Sequence, residues 1–159
     1  MSCMFWGCSN LKEIKGLNNF NTINVTNMCG MFRKCKNLIS IDLSNFKTDK
    51  VTDMSCMFWG CSNLKEIKGL NNFNTINVTY MNAMFYNCQN LISIDLSNFK
   101  TDKVTNMSCM FYGCSNLTEL NINNFKLIKE CKITDIFKGI DKTKCNLITK
   151  DEKLKNNFK

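Results

Sequence analysis

The sequence predicts an α/β repeat solenoid, and three observations predict it. The stretch Met54 to Leu64 recurs letter for letter as Met1 to Leu11. Looser copies begin at Met28, Met81 and Met107, so units start near 1, 28, 54, 81 and 107, at alternating spacings of 27 and 26 residues. Within each unit an alternating apolar pattern gives way to apolar residues three and four apart. Self-similarity at this period marks a coil of stacked units, because one unit alone cannot bury its apolar face.

The larger period is a tandem duplication of 53 residues. Residues 1–26 match 54–79 without a difference, and 37–52 match 90–105 likewise. The first half of each unit reads as a strand. In Leu38 to Ser44, Ile41 and Leu43 would point inward and Ser40, Asp42 and Ser44 outward. The longer units insert Gly16 or Gly69 after this segment, and a bulge there would return Leu17 to the core.

The second half reads as one or two turns of helix. Met54, Met57, Phe58 and Cys61 have the spacing of one helical face. Thr52 stands where an N-cap would, as do Thr26, Thr79 and Thr105. Gly60 stands where a left-handed C-terminal cap is needed; Gly7, Gly113 and Asn87 share its place, and Lys34 fits it poorly. Residues 1–125 are therefore read as the solenoid, and 126–159 as a degenerate last repeat with a basic cap. There Ile133, Ile136 and Phe137 fall on the Met, Met and Phe positions. Met1 would open on a bare apolar rung, which points to a longer array or to end-to-end association through that uncapped N-terminal rung.

Composition narrows the functional classes. The chain has no His and no Pro. The commonest general base and metal ligand is thus missing. No phosphate-cradling Gly-rich loop occurs, and carboxylates recur by repetition rather than as a unique pair. No catalytic residue, cofactor or metal is expected. No apolar run approaches a membrane span, so no membrane insertion is expected, and the start shows no basic-then-apolar signal segment. The net charge of +8 divides as +3 over residues 1–125 and +5 over 126–159. The basic end lacks interleaved aromatics and any nucleic-acid motif, so no nucleic-acid partner is expected.

The words around the strand carry a resemblance. Leu38, Ile41 and Leu43 give the Leu-x-x-Ile-x-Leu core of a leucine-rich repeat. The pattern Asn-Phe-x-Thr-x-x-Val-Thr-x-Met-x-x-Met-Phe-x-x-Cys-x-Asn-Leu, as in Asn45 to Leu64, resembles the BspA-like leucine-rich repeat family of surface proteins. The resemblance covers residues 1 to about 125. It implies a leucine-rich-repeat-like right-handed coil of about five strand–turn–short-helix units with a C-terminal cap. It also implies a surface or secreted protein that binds a protein or glycan. One departure is Phe46, with Phe20, Phe73, Phe99 and Phe125, in the slot where Asn usually ladders; the reading is an aromatic spine.

Candidate sites follow from stacking the units. Trp6, Arg33, Trp59, Tyr86 and Tyr112 form one column at the end of each predicted helix. It is either a recognition surface, since aromatics and Arg concentrate at hot spots, or a half-buried stack with Arg33 over a Trp face. On the strand face, Glu13, Ser40, Glu66, Ser93 and Glu119 form a column with spare acceptors. Its neighbour, Lys15, Asp42, Lys68, Asp95 and Asn121, is expected to neutralise itself across adjacent rungs.

The eleven cysteines occupy repeated slots. Gly30 and Ala83 replace Cys3, Cys56 and Cys109, so that slot asks for small volume; Ile140 replaces Cys8, Cys35, Cys61, Cys88 and Cys114, so that slot asks for an apolar group. Structural thiols are expected, with disulfides between rungs allowed by distance. The functional expectation is a non-enzymatic interaction module, with adhesion at the cell surface implied by the resemblance. A cytoplasmic scaffold with reduced thiols is the alternative, as is a C-terminal fragment of a longer array.

Overall fold

The computed structural model describes residues 1–159. It is a small, sheet-rich architecture of short parallel strands with few helices. The strands are β1 (Ser40–Asp42), β2 (Glu66–Lys68), β3 (Ser93–Asp95), β4 (Glu119–Asn121) and β5 (Asn146–Ile148). Pairing is parallel throughout, β1 with β2 and β3 with β4 with β5, in the register Ser40 to Glu66, Ser93 to Glu119 and Glu119 to Asn146. Partners therefore lie one repeat apart. Alternation sets the faces as expected: Ile41, Ile94 and Leu120 are buried, while Ser40, Asp42, Ser93 and Asp95 are exposed.

The segment read as a short helix is not one. Met54 to Cys61 and its copies form successive tight turns, and the only α-helix is α1 (Glu152–Phe158). Alternate amides leave the segment for the next unit: Met54 donates to the Tyr80 carbonyl at 3.0 Å, Cys56 to Asn82 at 2.9 Å, Phe58 to Met84 at 2.9 Å and Gly60 to Tyr86 at 2.7 Å. The amides between them close turns locally, as Trp59 to Cys56 at 3.0 Å and Cys61 to Phe58 at 3.1 Å. Such three-residue closures put apolar side chains at three- and four-residue spacing, which imitates a helical face. A helix would spend its amides on itself and leave the units unjoined.

Two further corrections follow from this backbone. The slot of Cys3, Cys56 and Cys109 asks for a left-handed residue, which the small-volume reading did not include: φ is 55°, 56° and 57° there, and 59°, 54° and 54° at Gly30, Ala83 and Asp135. The slot of Gly60 (φ 73°) is left-handed as read, and Lys34 (φ 61°) adopts the same conformation despite its Cβ. The threonines do not cap. Thr52 donates its hydroxyl to the Thr26 carbonyl of the preceding unit at 3.3 Å, and Thr79 and Thr105 do the same. The neighbouring Asx residue arrests the first turn instead, with Asp53 Oδ1 accepting from the Ser55 amide at 2.8 Å and Asn27 Oδ1 from Cys29 at 2.8 Å.

One hydrophobic cluster runs the length of the chain. Its aromatic spine is not the Phe46 column. Phe46, Phe73, Phe99 and Phe125 are buried, but only Phe73 and Phe99 stack, at 6.3 Å. The continuous stack is Phe5, Phe32, Phe58, Phe85, Phe111 and Phe137, with centroids 5.5, 5.6, 5.6, 5.7 and 6.1 Å apart and rings nearly parallel. Beside it lies a polar ladder that the sequence reading missed. Buried Thr48 donates to the Asn74 carbonyl at 3.0 Å and accepts from the Asn74 amide at 2.8 Å, and Thr22, Thr75 and Thr101 repeat this double bond. Each hydroxyl is thereby paid for inside the core.

The extra glycine returns the following leucine to the core as expected, but through a left-handed residue and a 3-10 turn rather than a strand bulge. Gly69 takes φ 86°, Leu70 opens a short 3-10 turn (Leu70–Asn72) and turns inward, and Gly16 with Leu17 repeats the pattern. Gly69 also packs on the backbone of Leu43 and Ser44 so closely that no Cβ fits. The chain leans toward β1 there, and no strand pairing joins β2 to β3. At the other end, the segment read as a degenerate last repeat with a basic cap holds β5 and α1. Asp151 Oδ1 accepts from the Leu154 amide at 3.0 Å, Leu154 is buried, and Phe158 meets Phe137 edge-on at 5.2 Å.

Candidate functional site

The column Trp6, Arg33, Trp59, Tyr86 and Tyr112 comes together as one continuous ladder. Each member sits one residue before the left-handed Gly60-type slot, so every turn aims it to the same side. The Arg33 guanidinium lies 4.6 Å from the Trp59 ring and 5.7 Å from Trp6. Trp59 stacks on Tyr86 at 5.3 Å, and Tyr86 on Tyr112 at 4.6 Å. Lys138 closes the series, its Nζ 5.8 Å over Tyr112. The sequence reading missed Lys138, although it stands as far from Ile133 as Trp59 does from Met54.

Trp6 is exposed, and Arg33, Trp59, Tyr86 and Tyr112 are half-buried. Arg33 Nε is buried without a hydrogen-bond partner. The two indole faces around the guanidinium account for that cost, since cation–π contacts are worth about 0.5–2 kcal/mol each. The ladder thus has a structural part. What it offers a partner is its ring edges and hydroxyls, because the faces of Trp59, Tyr86 and Tyr112 are taken.

The strand-face column is brought together in two pieces, and Glu13 belongs to neither, because residues 13–15 form no strand and do not pair with β1. Ser40 pairs with Glu66 and Ser93 with Glu119, all exposed. Glu13 and Glu66 are each held by the lysine two residues on, Glu13, which lies outside any strand, by Lys15 at 3.3 Å and Glu66 in β2 by Lys68 at 4.0 Å. The charge pairing expected across rungs in the neighbouring column does not form. Asp42 Oδ1 accepts from the Ser44 amide at 2.9 Å, and Asp95 Oδ1 from Ser97 at 2.8 Å. Ser44 is also the main reason the Asp42 carboxyl lies below its usual range, with Lys68 a lesser cause. Between Glu66 and Ser93 the missing pairing leaves a cleft of about 470 Å³, walled by Lys68, Gly69 and Asp95.

The thiols are built into the turns. Cys61 Sγ donates to the Phe32 carbonyl at 3.0 Å, and Cys35, Cys88 and Cys114 donate to Phe5, Phe58 and Phe85 at 3.1 Å. Burial pushes the Cys35 thiol up to about 11 and Cys114 to about 12, and raises Cys61 and Cys88 strongly. These groups stay protonated and unreactive at neutral pH. All eleven thiols are free, and no three His, Cys, Asp or Glu side chains converge as a metal site. No helix is long and apolar enough to cross a membrane.

No curated protein and no solved structure matches the chain. A family match spans the repeats, over residues 1–69 and 39–151. By that match, the chain belongs to the family described as "Mycoplasma protein of unknown function, DUF285".

Proposed function

We propose that this chain is a non-enzymatic interaction module, a right-handed leucine-rich-repeat-like solenoid of the BspA-like kind that holds a protein or glycan at the cell surface. The observation that carries the reading is the ladder from Trp6 to Lys138, which presents one side chain per unit at a fixed interval. A site spread evenly over repeats suits an extended partner better than a single reactive centre. The exposed column of Glu13, Ser40, Glu66, Ser93 and Glu119 offers further acceptors on the strand face. The eleven free thiols favour a second reading, an intracellular scaffold in a reducing compartment.

Immobilised panels of purified extracellular-matrix proteins and of glycans test the proposal directly. Wild type should bind at least one member, and Trp59→Ala should weaken that binding more than tenfold while melting as a folded protein. Binding to no member of either panel would sink the adhesive reading. Binding by Trp59→Ala equal to wild type would remove the ladder from it.

A further inference from the structure

Two clefts flank a ladder of asparagine side chains on the edge between the turns and the strands. Asn63 Nδ2 donates to Asn37 Oδ1 at 3.3 Å, Asn90 to Asn63 at 3.2 Å and Asn116 to Asn90 at 3.3 Å. On one side, a cleft of about 370 Å³ is lined by Lys12, Ile39 and Lys65 with these amides. On the other, a cleft of about 230 Å³ is lined by Lys34, Lys36, Ser62, Asn87, Gln89 and the edge of Trp59. No carboxylate lines either one.

The four lysines also lack a carboxylate partner, although Lys34 Nζ lies 5.4 Å over the Trp59 ring. Lys15, Lys68 and Lys126 each have a carboxylate within 4.0 Å, whereas Lys12, Lys34, Lys36 and Lys65 have none. The β2–β3 cleft is the contrast, since Glu66 and Asp95 stand there with Lys65 and Lys68. Ammonium groups without a carboxylate, set among amides and a hydroxyl, recognise a ligand that carries negative charge and many hydroxyls. We infer that this edge, from Lys12 to Gln89, binds an acidic polysaccharide along the asparagine ladder. The inference rests on the reading of the chain as a binding module and names its ligand class.

A nucleic acid would supply charge as well, but single strands are held by stacking bases on bare aromatic faces. Here Trp59 is covered on its faces by Arg33 and Tyr86. A polysaccharide needs no such platform; it needs donors and acceptors repeated along a line, which the ladder gives.

The repeats supply substitutions that the fold already tolerates. Lys34→Gly with Lys36→Ser copies Gly60 and Ser62, and Lys12→Thr with Lys65→Thr copies Thr118. The probes are heparin fragments, hyaluronan, neutral dextran and a single-stranded DNA oligonucleotide, each titrated against the full chain. Wild type should bind heparin or hyaluronan and ignore dextran. Each double variant should bind about tenfold more weakly or worse, tenfold being the loss expected for one charge-assisted hydrogen bond at the low end of its range. Binding DNA as tightly as the polysaccharides, binding dextran equally, unchanged binding by both variants, or no binding to either acidic polysaccharide would each overturn it. A chain that captures a purified matrix protein through Trp59 yet ignores both polysaccharides keeps the proposed function and loses this inference.

Discussion

The turn wall and the strand wall of this molecule are built from the same repeats and hold together differently. On the turn wall, main-chain bonds cross every junction from the first unit to the last, as Phe5 to Met31, Phe32 to Met57, Phe58 to Met84, Phe85 to Met110 and Phe111 to Ile136. The phenylalanine stack, the thiol ladder and the Trp–Arg–Tyr ladder all ride on those bonds. On the strand wall, pairing stops between β2 and β3, and residues 13–15 form no strand against β1 either. The difference traces to one residue: the 27-residue unit inserts Gly69 on the strand side and nothing on the turn side. Segments that look irregular in the sequence therefore join the units most completely.

The largest test of that contrast compares one core residue from each wall. Phe58 is fully buried between Phe32 and Phe85, so Phe58→Ala should cost about 3–5 kcal/mol. Ile67 in β2 is half-buried beside the cleft, so Ile67→Ala should cost about 1–2 kcal/mol. Urea unfolding of both variants measures the gap. Equal losses would mean that the two walls contribute alike.

Next in size is the inserted glycine itself. Gly69→Ala forces a Cβ into the Ser44 backbone and strains a left-handed residue, which should cost about 2–3 kcal/mol. Gly16→Ala strains the same conformation, but its Cβ meets only the Asn19 amide group at 3.7 Å, so about 1 kcal/mol is expected. Melting curves that rank Gly16→Ala as the worse of the two would show that the lean toward β1 is not what opens the cleft.

Alkaline pH acts chiefly on the turn wall, where the most deeply buried thiols lie. The Cys35, Cys61, Cys88 and Cys114 thiols are raised in the folded chain by burial, whereas unfolded thiols titrate near 9. Above that pH the unfolded chain has lost protons that the folded chain keeps. Stability is therefore full below pH 9 and falls as pH rises toward 11 and beyond, by about 1 kcal/mol per thiol at pH 10. Cys114→Ile, which copies Ile140, should remove one thiol's share of the fall. A denaturation midpoint flat from pH 8 to 10.5 would contradict the buried thiol ladder.

What could be read without coordinates follows the same division. The strand side was legible because alternation in Leu38 to Ser44 reports burial directly, and the register of Ser40 on Glu66 follows from the period. The Trp6-to-Tyr112 column was legible because repeats place like residues together. The turns were not, because tight turns closing every third residue give Met54, Met57, Phe58 and Cys61 the spacing of a helix. Left-handed residues would have betrayed them, yet three cysteines and an alanine hide that conformation where glycine would announce it. The break between β2 and β3 was not legible either, since an inserted glycine marks a local departure from the strand without saying which neighbour it packs on. Lys138 was not legible because the last unit keeps only the apolar skeleton of the others.

Lys34→Gly gives the smallest and sharpest of these measurements. Lys34 holds a left-handed backbone at φ 61°, a conformation that costs an ordinary residue about 1–2 kcal/mol, where Gly7, Gly60 and Gly113 hold it freely. Its amide is committed to the Trp59 carbonyl at 2.7 Å, so the turn wall gives it no alternative. Glycine would relieve the strain, lose roughly 0.5–1 kcal/mol to the greater freedom of the unfolded chain, and give up a cation–π contact worth about 0.5 kcal/mol. That contact is the ammonium 5.4 Å from the Trp59 ring. The net expectation is a gain of a few tenths of a kcal/mol. A gain above about 1 kcal/mol would mean that the bonds between units overrule a real strain at this residue. A loss would mean that Lys34 is held by the ring rather than by the backbone, and that the ladder orders the turn instead of riding on it.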